Sequence, residues 1–398
     1  MKIKIGIVWA DPYNKNLGVG ALALSSLALI NDVVKSKGLD AEYSFICFTK
    51  YKKDKLVLRD KEIEFTTFPV LDYMKPKSIA QLILLPSRYK TGKLLGLDYV
   101  FDISAGDSFS DIYGPKRFYL MLNTKRFFAK LGKKQVLLPQ TIGPFKDPVY
   151  EKQAFDVMKT TEMVISRDEQ SYKYSAKFLP KEKIAETMDV AFYMPFEKTS
   201  FNNGKINVGI NVSGLLWNGG YTRNNQFEMK TDYRKLITDT LTFFSAMDNV
   251  QIHIVSHVIP ENNPVEDDYT AAEDIKANHF PNVVIAPRFS SPIEAKGYIS
   301  GMQFFTGARM HACIGAFSSL VPVFLMAYSR KFNGLFKDTL QYPWMGDCVN
   351  ESEDVVFAKL KDAFSNIDKM AADIKHSMDT IAKPRLDELK QILGNVIK

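Results

Sequence analysis

The sequence predicts an α/β protein of two parallel-sheet domains followed by a helical tail. Three observations carry this. Short apolar runs alternate with segments of helical period along most of the chain. Many of those runs end in a polar turn containing Gly or Pro. The pattern then stops at a polar stretch, "MPFEKTSFNNGK" (194–205), and restarts beyond it. Strands alternating with helices imply βαβ units and hence parallel sheets. A chain of 398 residues suits two domains.

The elements follow in order. "KIGIVWA" (4–10) is a buried-strand run that leads into the loop "DPYNKNLGVG". "ALALSSLALINDVVKSKG" has helical period and stops at Gly38. "AEYSFICF", "YVFDIS" (99–104), "KQVLLPQTIGPF" (134–145) and "EMVISRDEQS" (162–171) read as further strands with turn-rich ends. After the boundary come "INVGINVS" (206–213), a Gly-rich loop, a helix over roughly 231–247 and the strand "VQIHIVSHV" (250–258). "NVVIAP" (282–287) is next. Ser291, Pro292 and Glu294 then form a helix-start signal. "FFTGARMHACIGAFSSLVPVFLMAYSRKFNGL" (304–335) reads strand, helix over about 312–320, strand. The expected organisation is 1–195, 205–350 and a mostly helical tail over 351–398, broken at Pro384.

Composition narrows the classes. The chain is 46% hydrophobic and 24% charged, with a net charge of +7, which fits an ordinary core and a mildly basic surface. Without an Arg-rich tract or RNA-binding motif, no nucleic-acid partner is expected. Cys47, Cys313 and Cys348 are far apart, so neither a disulfide framework nor a metal site is expected, and the usage suits a reducing cytoplasm. "MKIKIGIVWA" lacks the features of a signal peptide, and no window of about 20 uninterrupted apolar residues is present. The basic balance and the aromatic residues of "RFYLMLNTKRFF" (117–128) allow a peripheral contact with the inner membrane surface; a buried amphipathic helix is the competing reading of that segment.

Ligands in open parallel sheets bind beyond the carboxyl ends of the strands, and with two such domains the default site is a cleft between them. Arg309, His311 and Lys331 fall at strand ends of the second domain. Arg309 and His311 share a side only if "RMH" is extended, and diverge in a helix. Together they make an anion site or, alternatively, two solvated cations and a structural histidine. Arg167 follows the strand "EMVI". Ser166 and Glu169 form a capping box that puts it in the first helical turn, where either a bound anion or a pairing carboxylate would account for it. His257 ends a strand and either lines the cleft or is structural, whereas His253 reads as buried. Asp107 and Asp111, in "GDSFSDIYG", are general-base candidates or plain turn residues. "NLGVGAL" (16–22) lacks the spacing of a phosphate-binding loop, and no HExxH, GxxxxGK[ST] or Ser-His-Asp order is present.

Taken together, "DISAGDSFSDIYG" (102–114), "LPQTIGPF" (138–145), "ISRDEQS" (165–171), "GINVSGLLW" (209–217), "SHV" (256–258), "TGARMHACIGA" (306–316) and "YSRKFNGL" (328–335) resemble the polysaccharide pyruvyl transferase family over roughly residues 3–340. The R-x-H element, followed about twenty residues on by Y-x-x-K, is the most specific part. The resemblance implies a GT-B-like fold of two Rossmann-like domains facing a central cleft. It implies transfer of pyruvate from phosphoenolpyruvate to a sugar or lipid-linked oligosaccharide, as a ketal, with no cofactor and no metal. By motif match Arg167, Arg309, His311 and Lys331 would form the donor site. The chain departs from the family at Gly18-Val19-Gly20, where many members carry an Asp after the first glycine; a role for this loop would fall to the acceptor. The competing functions are a GT-B glycosyltransferase using a nucleotide sugar and a non-catalytic glycan-binding protein.

Overall fold

The computed structural model describes residues 2–58 and 61–398. The chain divides into two compact units. The first holds Met1–Tyr13, Leu22–Pro195 and Pro384–Lys398, and the second Asn14–Ala21 and Phe196–Lys383.

The first unit is built on β1 (Ile3–Val8), β2 (Ala41–Cys47), β3 (Lys52–Leu58), β4 (Lys61–Pro69), β5 (Tyr99–Asp102), β6 (Lys134–Gln140), β7 (Met163–Ser166) and β8 (Ile184–Glu186). They form one sheet in the order β3-β4-β2-β1-β5-β6-β7-β8. Only β3 runs antiparallel, against β4. Apolar residues on β1 and β5 are buried without alternation, as expected of parallel strands covered on both faces. The β3–β4 pair lies where no strand was expected from the sequence, because its Lys, Glu and Thr content masks a strand open to water on one side.

The second unit is an all-parallel sheet of β9 (Ile206–Asn211), β10 (Val250–Ile254), β11 (Val284–Ile285), β12 (Phe304–Gly307), β13 (Val323–Ala327) and β14 (Met345–Asp347), ordered β11-β10-β9-β12-β13-β14. β9 and β12 are central and nearly fully buried. Two parallel α/β sheets are thus present, as the sequence predicts.

The tail does not form a body of its own. Its helices Glu353–Ser365 and Ile367–Ser377 belong to the second unit. Lys383–Val396, from Pro384 on, belongs to the first, where Leu386, Leu389 and Leu393 are buried and Tyr99 exchanges two hydrogen bonds with Lys398. The segment around 117–128 is the helix Pro115–Lys130, with Phe118, Met121, Leu122 and Phe128 buried, so it is a core helix. Leu17–Ser36 is long and apolar enough to cross a bilayer by length and composition, but 83% of its most apolar window is buried.

Leu389→Ala should destabilise the first unit by about 2–5 kcal/mol, the usual cost of truncating a buried Leu. Hydrogen exchange should show lost protection in β1, β2 and β5 and unchanged protection in β9 and β12; a loss spread equally over both sheets would contradict the assignment of this helix.

Candidate active site

In the second unit the chain leaves β12 into Arg309, which is extended (φ −85°, ψ 113°), and the helix starts at Met310. The helix therefore begins two residues earlier than the spacing suggests, and His311 lies in its first turn. Arg309 and His311 are not a co-extended pair. Both nonetheless lie near His257, whose pKa each of them lowers.

Arg309 is 8% exposed. Its Nε and Nη2 donate to the Asp268 carboxylate, the shortest bond being 2.7 Å, and Nη2 also donates to the Glu266 carbonyl at 2.9 Å. A guanidinium has five N–H donors. Three are spent here, and Nη1 has no hydrogen-bond partner among the described residues. Burial alone would pull the Arg309 pKa down, but Asp268 more than offsets it and the group stays charged.

Asp268 is the acceptor hub of this edge and was not singled out in the sequence. Besides Arg309, it accepts from the backbone N–H of Gly214 at 2.8 Å, of His257 at 3.0 Å and of Val258 at 3.0 Å. In "VEDDY" its neighbour Asp267 is the helix cap, which hides Asp268 as a second acidic cap residue. The Asn211 side chain ties the same region together, accepting from Arg309 N–H at 2.9 Å and donating to the Val255 carbonyl at 2.9 Å.

His257 is buried, and its pKa is pushed down to about 3, first by burial and then by the neighbouring His311 and Arg309. It is a neutral residue beside the two candidates. His253, also expected to be buried, bonds Tyr298 at 2.7 Å and Asn207 at 2.9 Å, and burial lowers its pKa to about 4.

The first loop meets His311. Leu17 N–H donates to the His257 carbonyl at 3.0 Å, and Asn16 bridges to Val258. A Cβ added at Gly18 would lie 2.5 Å from His311 Nδ1. Glycine is thus required here for close approach, a signal that the search for G-x-G-x-x-G could not reveal. Lys331 follows β13, the parallel neighbour of β12, in the short helix Arg330–Phe332 and is half-buried. Strand pairing therefore brings it to the same sheet edge.

In the first unit the capping residue is Asp168, not Ser166: its carboxylate accepts from Ser171 N–H at 2.8 Å. Arg167 therefore precedes the helix rather than sitting in its first turn, and it is 2% exposed. Its Nη1 donates to Asp189 at 2.7 Å and its Nε to Thr141 at 3.0 Å, while Nη2 makes no hydrogen bond among the described residues. Burial would lower its pKa, but Asp189, Asp107 and Asp168 together hold it up. Its guanidinium passes under the loop after β5, where Ser104, Ala105 and Gly106 take positive φ in succession (45°, 49° and 89°). A Cβ on Gly106 would come within 3.1 Å of Arg167 Nη1. Beneath this loop Lys125, fully buried, pairs with Asp102 at 2.9 Å and donates to Ser104 Oγ at 2.9 Å. Asp107 faces Arg167 and accepts from Tyr113 Oη at 2.9 Å. Asp111 ties a loop, one of its oxygens accepting from Lys146 N–H at 2.6 Å and Asp147 N–H at 2.8 Å. Among the described residues no cluster of His, Cys, Asp and Glu could hold a metal ion.

A family model, polysaccharide pyruvyl transferase, matches residues 16–330. No curated protein matches the chain. Solved structures are similar over nearly its full length. UDP-GlcNAc 2-epimerase from Neisseria meningitidis bound to UDP-GlcNAc superposes with a TM-score of 0.58 at 9% identity, covering 100% of this chain and 99% of that one. Anabaena Alr3699/HepE in complex with UDP-glucose gives 0.57 at 12% identity, covering 99% of each chain. A putative UDP-N-acetylglucosamine 2-epimerase from Listeria monocytogenes gives 0.57 at 11%, covering 93% and 91%. At such identities the likeness is one of fold: two parallel-sheet domains of the GT-B type.

The buried histidines set a pH dependence. His253 and His257 stay neutral in the folded protein down to about 4 and about 3, against an ordinary value of 6.5. Below that ordinary value the unfolded chain binds more protons, so stability falls as pH drops from about 6.5 toward these values. His257→Asn should flatten the slope of the second unit's unfolding free energy over this window; an unchanged slope would contradict the burial of a neutral ring.

Proposed function

The chain belongs to the polysaccharide pyruvyl transferase family, and from that premise we propose that it moves the pyruvate group of phosphoenolpyruvate onto two hydroxyls of a sugar acceptor. The observation that carries the reading is at the start of the helix Met310–Ser318. Arg309 is anchored by part of its fork on Asp268 and keeps Nη1 uncommitted, beside His311 in the first helical turn. An arginine fork held in place can meet a carboxylate or phosphate with little ordering cost.

In this reading His311 delivers a proton to C3 of phosphoenolpyruvate. C2 becomes oxocarbenium-like and one sugar hydroxyl adds to it, releasing its proton. The C2–O bond to phosphate then breaks, and the second hydroxyl closes the ketal with loss of its own proton. One of the two protons restores His311 and the other leaves with phosphate or water. Arg309 and Lys331 balance the donor's carboxylate and phosphate; Arg167, in the first unit, is a second buried cation suited to holding an anion. Fixed cations of this kind supply electrostatic stabilisation without a metal. His257, neutral and buried, orients its neighbours and does not itself titrate near neutral pH. Asp107, in the first unit, remains the carboxylate candidate for general-base work. Asp111, committed to the 146–147 backbone, is better explained as structural.

Two variants test the donor assignment. Arg309→Ala would strand Asp268 in the interior without its cation, at about 3–5 kcal/mol, so Arg309→Lys is the cleaner probe. It should keep the fold and lower kcat/KM for phosphoenolpyruvate by at least about tenfold, because an ammonium cannot hold Asp268 and also present the separate Nη1 donors to the substrate. His311→Ala should abolish phosphate release. Release of a nucleotide from a nucleotide sugar, with phosphoenolpyruvate inert, would overturn the reading.

The first loop gives a further check. Gly18→Ala should push the His311 ring aside and lower turnover on the order of 10²-fold, as about 1 Å of misplacement does, with little change in thermal stability. Full activity in Gly18→Ala would remove this loop from the site.

A further inference from the structure

In the first unit, the helix Pro76–Leu84 is turned the unusual way out. A helix on a sheet normally buries its apolar face. Here the buried positions are Ser78 and Leu82, while Ile79, Ala80, Ile83 and Leu84 face solvent. Ile83 is 70% and Leu84 76% exposed, and the adjoining Leu85 is 44% exposed. A contiguous exposed apolar patch of this kind marks an interaction surface.

The segment is firmly held. Tyr73, at its start, is buried and stacks on Phe127 with centroids 4.5 Å apart. Leu82, Leu94 and Leu97 enter the core, and Thr91 Oγ1 donates to the Leu82 carbonyl at 2.9 Å. The exposure is therefore part of the folded surface.

Charge identifies the partner. From Tyr73 to Leu97 the sequence contains Lys75, Lys77, Arg88, Lys90 and Lys93 and no Asp or Glu. Lys77 and Arg88 are exposed and form no ion pair among the described residues. Lys90 lies over the Tyr51 ring at 4.6 Å, and Lys75 pairs with Asp72 at 3.2 Å at the edge. Lys93 likewise pairs with Glu42, so the exposed cations without an ion pair among the described residues are Lys77 and Arg88; with protruding aliphatic side chains and no carboxylate within 73–97, they suit an interface with apolar depth and an anionic surface.

We propose that residues 75–95 dock the first unit on an anionic lipid bilayer, with Ile83, Leu84 and Leu85 entering the acyl boundary and Lys77 and Arg88 on the headgroups. This places the membrane contact away from residues 117–128, whose aromatic side chains are core. It rests on the pyruvyl-transfer reading only in one respect: there, docking would bring the enzyme to a sugar acceptor carried on lipid.

The test is vesicle flotation of the full chain at low and at physiological salt, without phosphoenolpyruvate. The expected result is binding to phosphatidylcholine vesicles containing phosphatidylglycerol, weak binding to phosphatidylcholine alone, and loss of binding as salt rises. Ile83→Asp/Leu84→Asp should weaken partitioning by at least about tenfold, as expected for losing two buried aliphatic side chains. Lys77→Glu and Arg88→Glu should each weaken it by about fivefold or more. All four positions are exposed, so these variants should keep the wild-type unfolding temperature. Absence of flotation at low salt, or equal flotation of wild type and Ile83→Asp/Leu84→Asp, would overturn the proposal. So would a wild-type dimer in sedimentation that Leu84→Asp dissociates without any vesicle binding, since the patch would then be covered by a second copy. A protein that floats yet releases no phosphate from phosphoenolpyruvate would sink the catalytic reading and leave the docking surface standing.

Discussion

The carboxylate of Asp268 holds the carboxyl edge of the second sheet together. It is fully buried, and it accepts from the loops that follow β9 and β10 and from the arginine that follows β12. A buried ion pair of this kind adds little net stability, because desolvation cancels much of the attraction. Its value here is geometric. Three loops leaving three strands meet on one acceptor, so Arg309 cannot swing, and His257 is fixed beside it. The N–H of Leu17 on the His257 carbonyl then carries the same constraint to the first loop, whose Gly18 meets the His311 ring.

The first unit repeats the arrangement with different parts. Arg167 is buried and pinned by Asp189 and Thr141, as Arg309 is by Asp268 and Glu266. In each case one terminal nitrogen of the guanidinium makes no hydrogen bond among the described residues. The loop over Arg167 holds three successive residues at positive φ, a conformation that costs energy at Ser104 and Ala105 and persists only where the surroundings enforce it. The buried Lys125–Asp102–Ser104 group is that enforcement.

Much of the fold was legible because parallel strands buried on both faces leave continuous apolar runs, as in β1, β6 and β12. Elements at and next to the edges were not: β3, at the edge, and its neighbour β4 are rich in Lys and Glu, and the edge strands β8 and β14 are only three residues long. Helix starts were read well where the cap stood alone, as at Ser291, whose Oγ accepts from Glu294 N–H. They failed at Arg167, where Asp168 is a stronger cap than Ser166. The cations of the candidate site could be named from their strand-end positions. Their partners could not. Asp189 lies 22 residues from Arg167, and Asp268 lies 41 from Arg309, with no local pattern linking them. Gly18 was missed because its role is to leave room for a side chain nearly three hundred residues away, which no spacing rule encodes.

The central claim is that a proton reaches C3 of phosphoenolpyruvate and that the C2–O bond to phosphate breaks. Turnover in D₂O with phosphoenolpyruvate labelled with ¹⁸O at the bridging oxygen reads both events at once. The account predicts one deuterium in the methyl group of the ketal and the label wholly in the released phosphate. A methyl group without deuterium, or label retained on the sugar product, would contradict it.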